Sequence, residues 1–241
     1  AFSFEEAVPS IVFSAARSIT ATLSSGTVVS RAHITHTLCQ YFGGSDAEGR
    51  WSVRDAHAAL ELAQVLYLQE VDAFGRTALA AEADALFASL EALVPVQANR
   101  SEEQIAWQQF ATPPRFAWLA ARACAFSKGD HVLEPSAGTG MLALWAEKAG
   151  AILALNEISP LRRDCLAAVF PQSRLTGHDA ELIDELLDAA VAPSLVLMNP
   201  PYSHGIERGH DGRTGARHLR SAWNRLTDGG RLVAIMPEWF D

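Results

Sequence analysis

The stretch that decides the fold is His131-Val132-Leu133-Glu134-Pro135-Ser136-Ala137-Gly138-Thr139-Gly140. It begins as an apolar run of strand length and ends in a turn that contains Gly138 and Gly140. Glycine allows a backbone to turn tightly and to approach a ligand, whose polar groups then meet the N–H groups that open a following helix. With Ala143, the two glycines also fit the loose dinucleotide-binding fingerprint, which is weak evidence by itself. We therefore predict a strand, a ligand-binding turn and a helix.

Further apolar runs of strand length follow this stretch, separated by helical segments. Including the first, the runs lie at residues 131–134, 151–156, 194–198 and 231–236, with a weaker one at residues 174–178. Strands that alternate with helices at this spacing form right-handed βαβ units, so their sheet is parallel and has helices on both faces. The sequence therefore predicts an α/β domain over residues 101–241.

The first hundred residues have a different composition, in which helix formers dominate and strand-like runs are nearly absent. Ser30 is placed to cap one helix, with Val29 packing on Ile34. Ser52-Val53-Arg54-Asp55 has the spacing of a capping box and opens a longer helix. We therefore predict an all-helical N-terminal domain over residues 1–100.

The composition excludes several classes of protein. Of 241 residues, 49% are apolar and 20% are charged, which is typical of a globular chain rather than a disordered one. No apolar run reaches the roughly 18 residues that a membrane helix needs, and the N-terminus lacks a secretory signal. Three widely spaced cysteines favour neither a disulfide framework nor a zinc site, so we expect no metal and a cytoplasmic location. The net charge of −9 disfavours coating of nucleic acid by bulk charge.

Two acidic residues follow successive predicted strands. Glu157 ends the second strand, where a carboxylate can accept both hydroxyls of a ribose. Asp179 follows the weaker strand candidate, where a carboxylate could accept from an adenine amino group. Either acid alone could instead be a helix cap. Together with the glycine turn, they predict a nucleoside pocket at the carboxyl edge of the sheet.

The tetrapeptide Asn199-Pro200-Pro201-Tyr202 directly follows another predicted strand. Its prolines remove two N–H donors and keep the chain extended, so the Asn199 side chain and the Pro200 carbonyl project from the sheet edge. These two acceptors could hold the hydrogens of an exocyclic amine or an amide nitrogen, and Tyr202 could stack on a planar ring. The alternative is a strand terminator with a packed tyrosine.

Together these motifs resemble the S-adenosylmethionine-dependent amino-methyltransferases of the N6-adenine type, which have a Rossmann-like fold. Gln109-Phe110-Ala111-Thr112-Pro113-Pro114 resembles the extra cofactor motif of that group, and the order of the motifs resembles its γ arrangement. The resemblance covers about residues 108–241. The resembled sheet has two strands beyond the five predicted here, so we expect a fragment that lacks the last strands.

A narrower resemblance involves the N-terminal part. Phe42-Gly43-Gly44-Ser45-Asp46-Ala47-Glu48-Gly49-Arg50-Trp51, with Leu155-Asn156-Glu157 and Asp228-Gly229-Gly230-Arg231-Leu232-Val233, is similar to the front portion of bacterial strawberry-notch-like methylase–helicase proteins and related phage anti-restriction proteins. The resemblance implies a bacterial or phage-encoded protein with a helicase domain in the same full-length polypeptide. The chain itself contains no helicase motif.

The resemblance implies methyl transfer to the N6 amine of adenine in DNA, with the base flipped from a duplex or taken from a single strand. The implied catalytic residues are Asn199, Pro200, Pro201 and Tyr202. The implied S-adenosylmethionine-binding residues are Thr112, Pro113, Glu134, Pro135, Ser136, Ala137, Gly138, Gly140, Asn156, Glu157, Asp179, Ala180 and Asn199. Alternatives are a protein-glutamine or RNA amino-methyltransferase, or a non-catalytic module that binds cofactor or DNA.

A basic segment follows the tetrapeptide. Five arginines and two acids lie between Tyr202 and Leu226. We predict that Tyr202 contacts the target base and that Arg208, Arg213 and Arg217 contact phosphates beside it. The alternative is an exposed basic helix face without a partner.

Overall fold

The structure is a computed structural model, which describes residues 10–71, 80–95, 112–202, 204–205, 209–238 and 240. Some predicted features therefore lie outside the described residues. They are Arg208, the first three residues of the extra cofactor motif (Gln109, Phe110 and Ala111) and the predicted domain boundary near residue 100. The division into two domains stays a prediction.

The described residues form seven strands. They are β1 (His131–Glu134), β2 (Ile152–Asn156), β3 (Arg174–Thr176), β4 (Leu195–Met198), β5 (His204–Gly205), β6 (Gly209–His210) and β7 (Arg231–Ala234). Five of them make a parallel sheet in the order β3-β2-β1-β4-β7, and β5 pairs with β6 in a small antiparallel ribbon. The predicted parallel sheet is confirmed, including its weakest strand, which is β3.

The strand order reverses between β1 and β4. From β1 the chain adds β2 and β3 on one side, and it then crosses to the other side of β1 to add β4 and β7. Leu133 of β1 lies between Ala154 of β2 and Val196 of β4. Ligands of open α/β sheets bind outside the carboxyl ends of the strands at such a reversal. The topology therefore directs attention to the carboxyl ends of β1 and β4.

The described helices alternate with these strands and precede them. They are α1 (Ile11–Ser24), α2 (Arg31–Phe42), α3 (Val53–Glu70), α4 (Ala80–Leu93), α5 (Pro114–Cys124), α6 (Ala143–Lys148), α7 (Pro160–Val169), α8 (Ile183–Leu186) and α9 (Thr214–Trp223). Both predicted N-caps are present. The Ser30 hydroxyl accepts from the His33 N–H, and Ser52 forms a capping box with Asp55.

Helices α1–α4 share one continuous buried core with the helices and strands of the sheet. Helix α3 packs against both α6 and α7. The Lys148 ammonium of α6 donates to the carbonyl oxygens of Gln69 (3.0 Å) and Val71 (3.2 Å) at the end of α3. The N-terminal helices therefore cover the helices that flank the glycine turn. Across the described residues, no helix is long and apolar enough to cross a membrane.

Candidate active site

The two glycines of the turn serve different purposes. Both have backbone conformations in the left-handed region, with φ of +57° at Gly138 and +94° at Gly140. A Cβ atom at Gly140 would lie 2.3 Å from Phe170 Cε2, so packing excludes any side chain there. A Cβ atom at Gly138 would have Arg162 Nη1, 3.9 Å away, as its nearest neighbour. Gly140 therefore closes the turn onto the core, while Gly138 faces a less crowded side where a ligand could approach.

Asn156 at the end of β2 holds the surrounding loops together. Its Nδ2 donates to the carbonyl oxygens of Pro135 (2.8 Å) and His178 (2.9 Å). Its Oδ1 accepts from the Thr176 hydroxyl and the His178 N–H, both at 2.8 Å. These contacts use the full hydrogen-bonding capacity of the amide. The buried Asn156 side chain therefore supports the site by fixing the loops around it.

Glu157 lies directly against the glycine turn. Its carboxylate accepts from the Gly138 N–H and from the Ser159 N–H, each at 2.8 Å. Burial raises the pKa of Glu157, and the positive charge of Arg162 opposes that rise. The structure thus brings together the glycine turn and the first of the two predicted acids.

Glu134, the last residue of β1, is the least satisfied polar group of the site. The residue is 2% exposed, and within the part of the chain that the structure describes Oε2 has no hydrogen-bond partner. Burial raises its pKa well above the usual value, and repulsion by Glu157 adds to the rise. A buried polar atom without a partner costs free energy, so it calls for an explanation. A ligand that brings a donor or a positive charge would supply the missing partner.

The Asn199 corner contacts a segment far away in sequence. Asn199 Nδ2 donates to Thr112 Oγ1 at 3.0 Å, across 87 residues. The Tyr202 hydroxyl hydrogen-bonds to Asn199 Oδ1 and lies 3.2 Å from the carbonyl oxygen of Ile235. Thr112 therefore fixes the orientation of the amide. The Tyr202 ring was predicted to stack on a planar ligand, and here its hydroxyl caps the amide oxygen that the sequence assigns to the substrate.

Asp179 lies beyond β3, at the same edge of the sheet. Its Oδ1 accepts from the Glu181 N–H at 2.9 Å and thereby caps the short 3-10 helix Ala180–Leu182. This is the helix-cap role that the sequence left open. Nearby, the buried His218 has a pKa lowered to about 4 by burial, so it is neutral at physiological pH. No group of three or more metal-binding side chains occurs among the described residues.

The basic segment is less available than its sequence suggests. The Arg217 guanidinium donates to both carboxylate oxygens of Glu181 (3.0 and 2.9 Å) and pairs with Asp211 at 2.8 Å. Two acids thus neutralise Arg217, which does not fit its predicted role as a phosphate contact. Arg213 is exposed at the start of α9. Of the three predicted phosphate contacts, Arg213 is the one whose described surroundings suit that role.

Two contributors to the site were missed from the sequence. Arg162 on α7 lies beside Gly138, and it pairs with Glu61 of the N-terminal helix α3. A sequence signal existed for Glu61, since it lies one helical turn from Ala58 and Val65, which are both buried. A charge within an apolar stripe predicts a buried partner, although not its identity.

No protein-family model and no curated protein matches the chain. A candidate RNA methyltransferase from Pyrococcus horikoshii is 24% identical, with a TM-score of 0.40 over 54% of this chain and 60% of that one. TrmN from Thermus thermophilus is 18% identical, with a TM-score of 0.41 over 65% of this chain and 56% of that one.

A third solved structure is the methyltransferase subunit of a type I restriction-modification system from Streptococcus thermophilus. It is 13% identical, with a TM-score of 0.42 over 93% of this chain and 66% of that one. In each of the three cases the chain spans less than two thirds of the length of the solved protein.

Proposed function

We propose that this chain is an S-adenosylmethionine-dependent methyltransferase that acts on the exocyclic N6 amine of adenine in DNA. The observation that carries the proposal is that Asn199 and the glycine turn follow the carboxyl ends of the adjacent strands β4 and β1. The Asn199 corner offers oxygen acceptors to an amine, and the turn offers backbone N–H groups and glycines to a nucleoside-containing cofactor.

The buried acids fit the positive charge of this cofactor. The ammonium group of its methionine part would satisfy Glu134 Oε2, which has no hydrogen-bond partner among the described residues. Glu157 lies against Gly138 and would accept from the ribose hydroxyls, while Asp179 at the next strand end would accept from the adenine amine. When bound, the cofactor supplies a methyl group on a sulfonium, which is a strong electrophile.

Asn199 and Pro200 would position the target amine. If the Asn199 amide oxygen and the Pro200 carbonyl each accept one amine hydrogen, the nitrogen lone pair is left to face the methyl group. Thr112 accepts from the Asn199 Nδ2 and so leaves the amide oxygen on the side of Tyr202, where the target amine would bind. A strong base is not required, because the amine becomes acidic once it is alkylated.

Tyr202 would change partners when the substrate binds. Its hydroxyl now hydrogen-bonds to Asn199 Oδ1, the same oxygen that the target amine needs. An incoming base therefore displaces the hydroxyl from Asn199 and stacks on the freed ring. This exchange suits a base that has been flipped out of a DNA duplex or that belongs to a single strand. Arg213 would contact an adjacent phosphate.

The test is cofactor binding followed by methyl transfer. We expect calorimetry to detect binding of S-adenosylmethionine, and labelled methyl groups to reach adenine-containing DNA in preference to RNA of the same sequence or a glutamine peptide. Asn199→Ala should lower the transfer rate by about 100-fold and leave cofactor binding intact. Asp130→Asn, at the other end of β1, is the matched control and should keep its activity.

Each outcome decides one part of the proposal. Transfer to RNA or to glutamine instead of DNA would replace the substrate, and undiminished transfer by Asn199→Ala would overturn the mechanism. Cofactor binding without transfer to any of the three substrates would favour a non-catalytic module. The proposal also includes a helicase domain in the same full-length polypeptide, supported by the motif resemblance. A reading frame without helicase motifs would refute that part.

A further inference from the structure

A buried ion pair joins the N-terminal helices to the α/β unit. Arg162 Nη2 of α7 lies 3.4 Å from Glu61 Oε2 of α3, and the two side chains are 8% and 4% exposed. Removing two charges from water costs about as much free energy as their attraction returns, so a buried pair is weak evidence for stability. Its retention in the core calls for another explanation.

Both members of the pair lie beside the glycine turn. The Thr139 hydroxyl, between the two glycines, is near enough to Glu61 to lower the pKa of its carboxyl group. Arg162 Nη1 is the nearest neighbour, at 3.9 Å, of the position that a Cβ atom would take at Gly138. The ion pair is therefore adjacent to the turn that would hold the cofactor.

Arg162 also connects Glu61 to Glu157. Burial raises the pKa of both acids, and in each case the positive charge of Arg162 is the strongest opposing influence. The single guanidinium therefore serves two buried carboxylates, one on a helix of the N-terminal part and one at the end of β2.

We propose that Glu61 is a positioning residue for the cofactor site, which it serves by holding Arg162 and Thr139. This inference rests on the proposed function, and it deepens it by assigning a role in cofactor binding to the N-terminal helices. Glu61 acts through its two partners and does not itself touch the cofactor. Without its charge, Arg162 loses the attraction of Glu61 while that of Glu157 remains, and the environment of Thr139 changes.

The first test is the affinity for S-adenosylmethionine, measured by calorimetry. Glu61→Gln should weaken binding by roughly tenfold, within the range expected for coupled neighbours. Asp130→Asn is the matched control, because it disrupts an ion pair away from the glycine turn, with Arg231, at the opposite end of β1. We expect the control to keep its affinity. Equal losses in both variants, or no loss in Glu61→Gln, would overturn the proposal.

A second variant separates positioning from stability. The double substitution Glu61→Leu with Arg162→Met replaces the pair by apolar side chains, an exchange that often preserves or raises stability. Because Arg162→Met also removes the cation that serves Glu157, we expect the thermal midpoint to fall, but by no more than in Glu61→Gln, while the affinity for S-adenosylmethionine remains reduced. Recovery of affinity together with stability would show that the pair is only structural.

Amide hydrogen exchange tests the inference without cofactor. If the unmodified protein binds no S-adenosylmethionine, the proposed function fails, yet the positioning of the turn is still measurable. Glu61→Gln should speed exchange at Gly138, Thr139 and Gly140 more than Asp130→Asn does. Unchanged protection at these three amides would refute the role of Glu61 whatever the protein binds.

Discussion

Strand β1 has an acidic residue at each end, and the two acids have opposite surroundings. Asp130, immediately before the strand, accepts from the Ser127 N–H at 2.8 Å and from the Ser194 hydroxyl at 2.9 Å. It also pairs with Arg231 at 2.6 Å. Burial alone would raise the pKa of Asp130, but these three donors hold it below its usual value. The amino end of the strand is therefore satisfied within the protein.

Glu134, at the carboxyl end, has the opposite character. It is buried, one of its oxygens has no partner among the described residues, and Glu157 repels its charge. Only three residues thus separate an acid that stabilises the fold from an acid that the described structure leaves unsatisfied. Unsatisfied buried groups are rare in native proteins and cluster at functional sites. The comparison shows that, among the described residues, the amino end of β1 satisfies its acid and the carboxyl end does not.

The largest effect is expected from the glycines on either side of this strand. Gly129 and Gly140 both have positive φ, of +83° and +94°. An alanine Cβ would meet nothing within 4 Å at Gly129, but it would lie 2.3 Å from Phe170 at Gly140. We expect Gly140→Ala to lower the free energy of unfolding by about 3 kcal/mol, and Gly129→Ala by about 1 kcal/mol. Urea denaturation measures both, and equal losses would contradict the packing argument.

The next effect concerns the two acids themselves. Glu134→Gln removes the unpaired charge, so the cofactor-free protein should keep its stability or gain slightly, while the affinity for S-adenosylmethionine falls by roughly tenfold or more. Asp130→Asn should keep that affinity and lower the free energy of unfolding by about 1 kcal/mol. The loss is modest because Arg231 is 40% exposed and its charge is screened by solvent.

Calorimetry and urea denaturation of both variants check these expectations. The comparison fails if Glu134→Gln lowers the free energy of unfolding but not the affinity for S-adenosylmethionine, because the Glu134 charge would then stabilise the fold. It also fails if Asp130→Asn weakens cofactor binding, because the two ends of the strand would then not be separable.

The sheet and the glycine turn could be predicted because their signals are local. Apolar runs of strand length, bounded by glycine and proline, mark each strand whatever surrounds it. The acids and Asn199 could be placed at one edge because parallel strands carry their carboxyl ends to the same side. The predicted fold class followed from these short stretches alone.

The contacts between distant segments could not be predicted in this way. Nothing in a single sequence tells which residue faces Glu61 across 101 positions, or that Thr112 receives the amide of Asn199. The arginine count also could not show that Arg217 pairs with Glu181, 36 residues away, as well as with Asp211 of the same segment. Charge in a segment predicts its net field, but tertiary pairing decides which charges stay available.

The smallest effect is a difference in pH dependence between the two ends of β1. The folded pKa of Asp130 is lowered from 3.8, so its contribution to stability is present above that pH and is lost as the pH falls through the folded value. The folded pKa of Glu134 is raised from 4.5. Its ionisation therefore opposes folding above that raised value, and stability is regained as the pH falls towards 4.5.

Unfolding free energies measured between about pH 3 and about pH 8 should show these two opposite pH dependences. The difference between the unmodified protein and Asp130→Asn should shrink at the acid end. The gain from Glu134→Gln should grow towards the alkaline end, because the charge on buried Glu134 is then fully formed in the unmodified protein. Saturating S-adenosylmethionine should reverse that gain, because its ammonium group would pair with the Glu134 charge. If the unfolding free energies of the two variants depend on pH in the same way, both acids are equally satisfied within the protein. The carboxyl end of β1 would then have no unsatisfied group for a ligand to pair with.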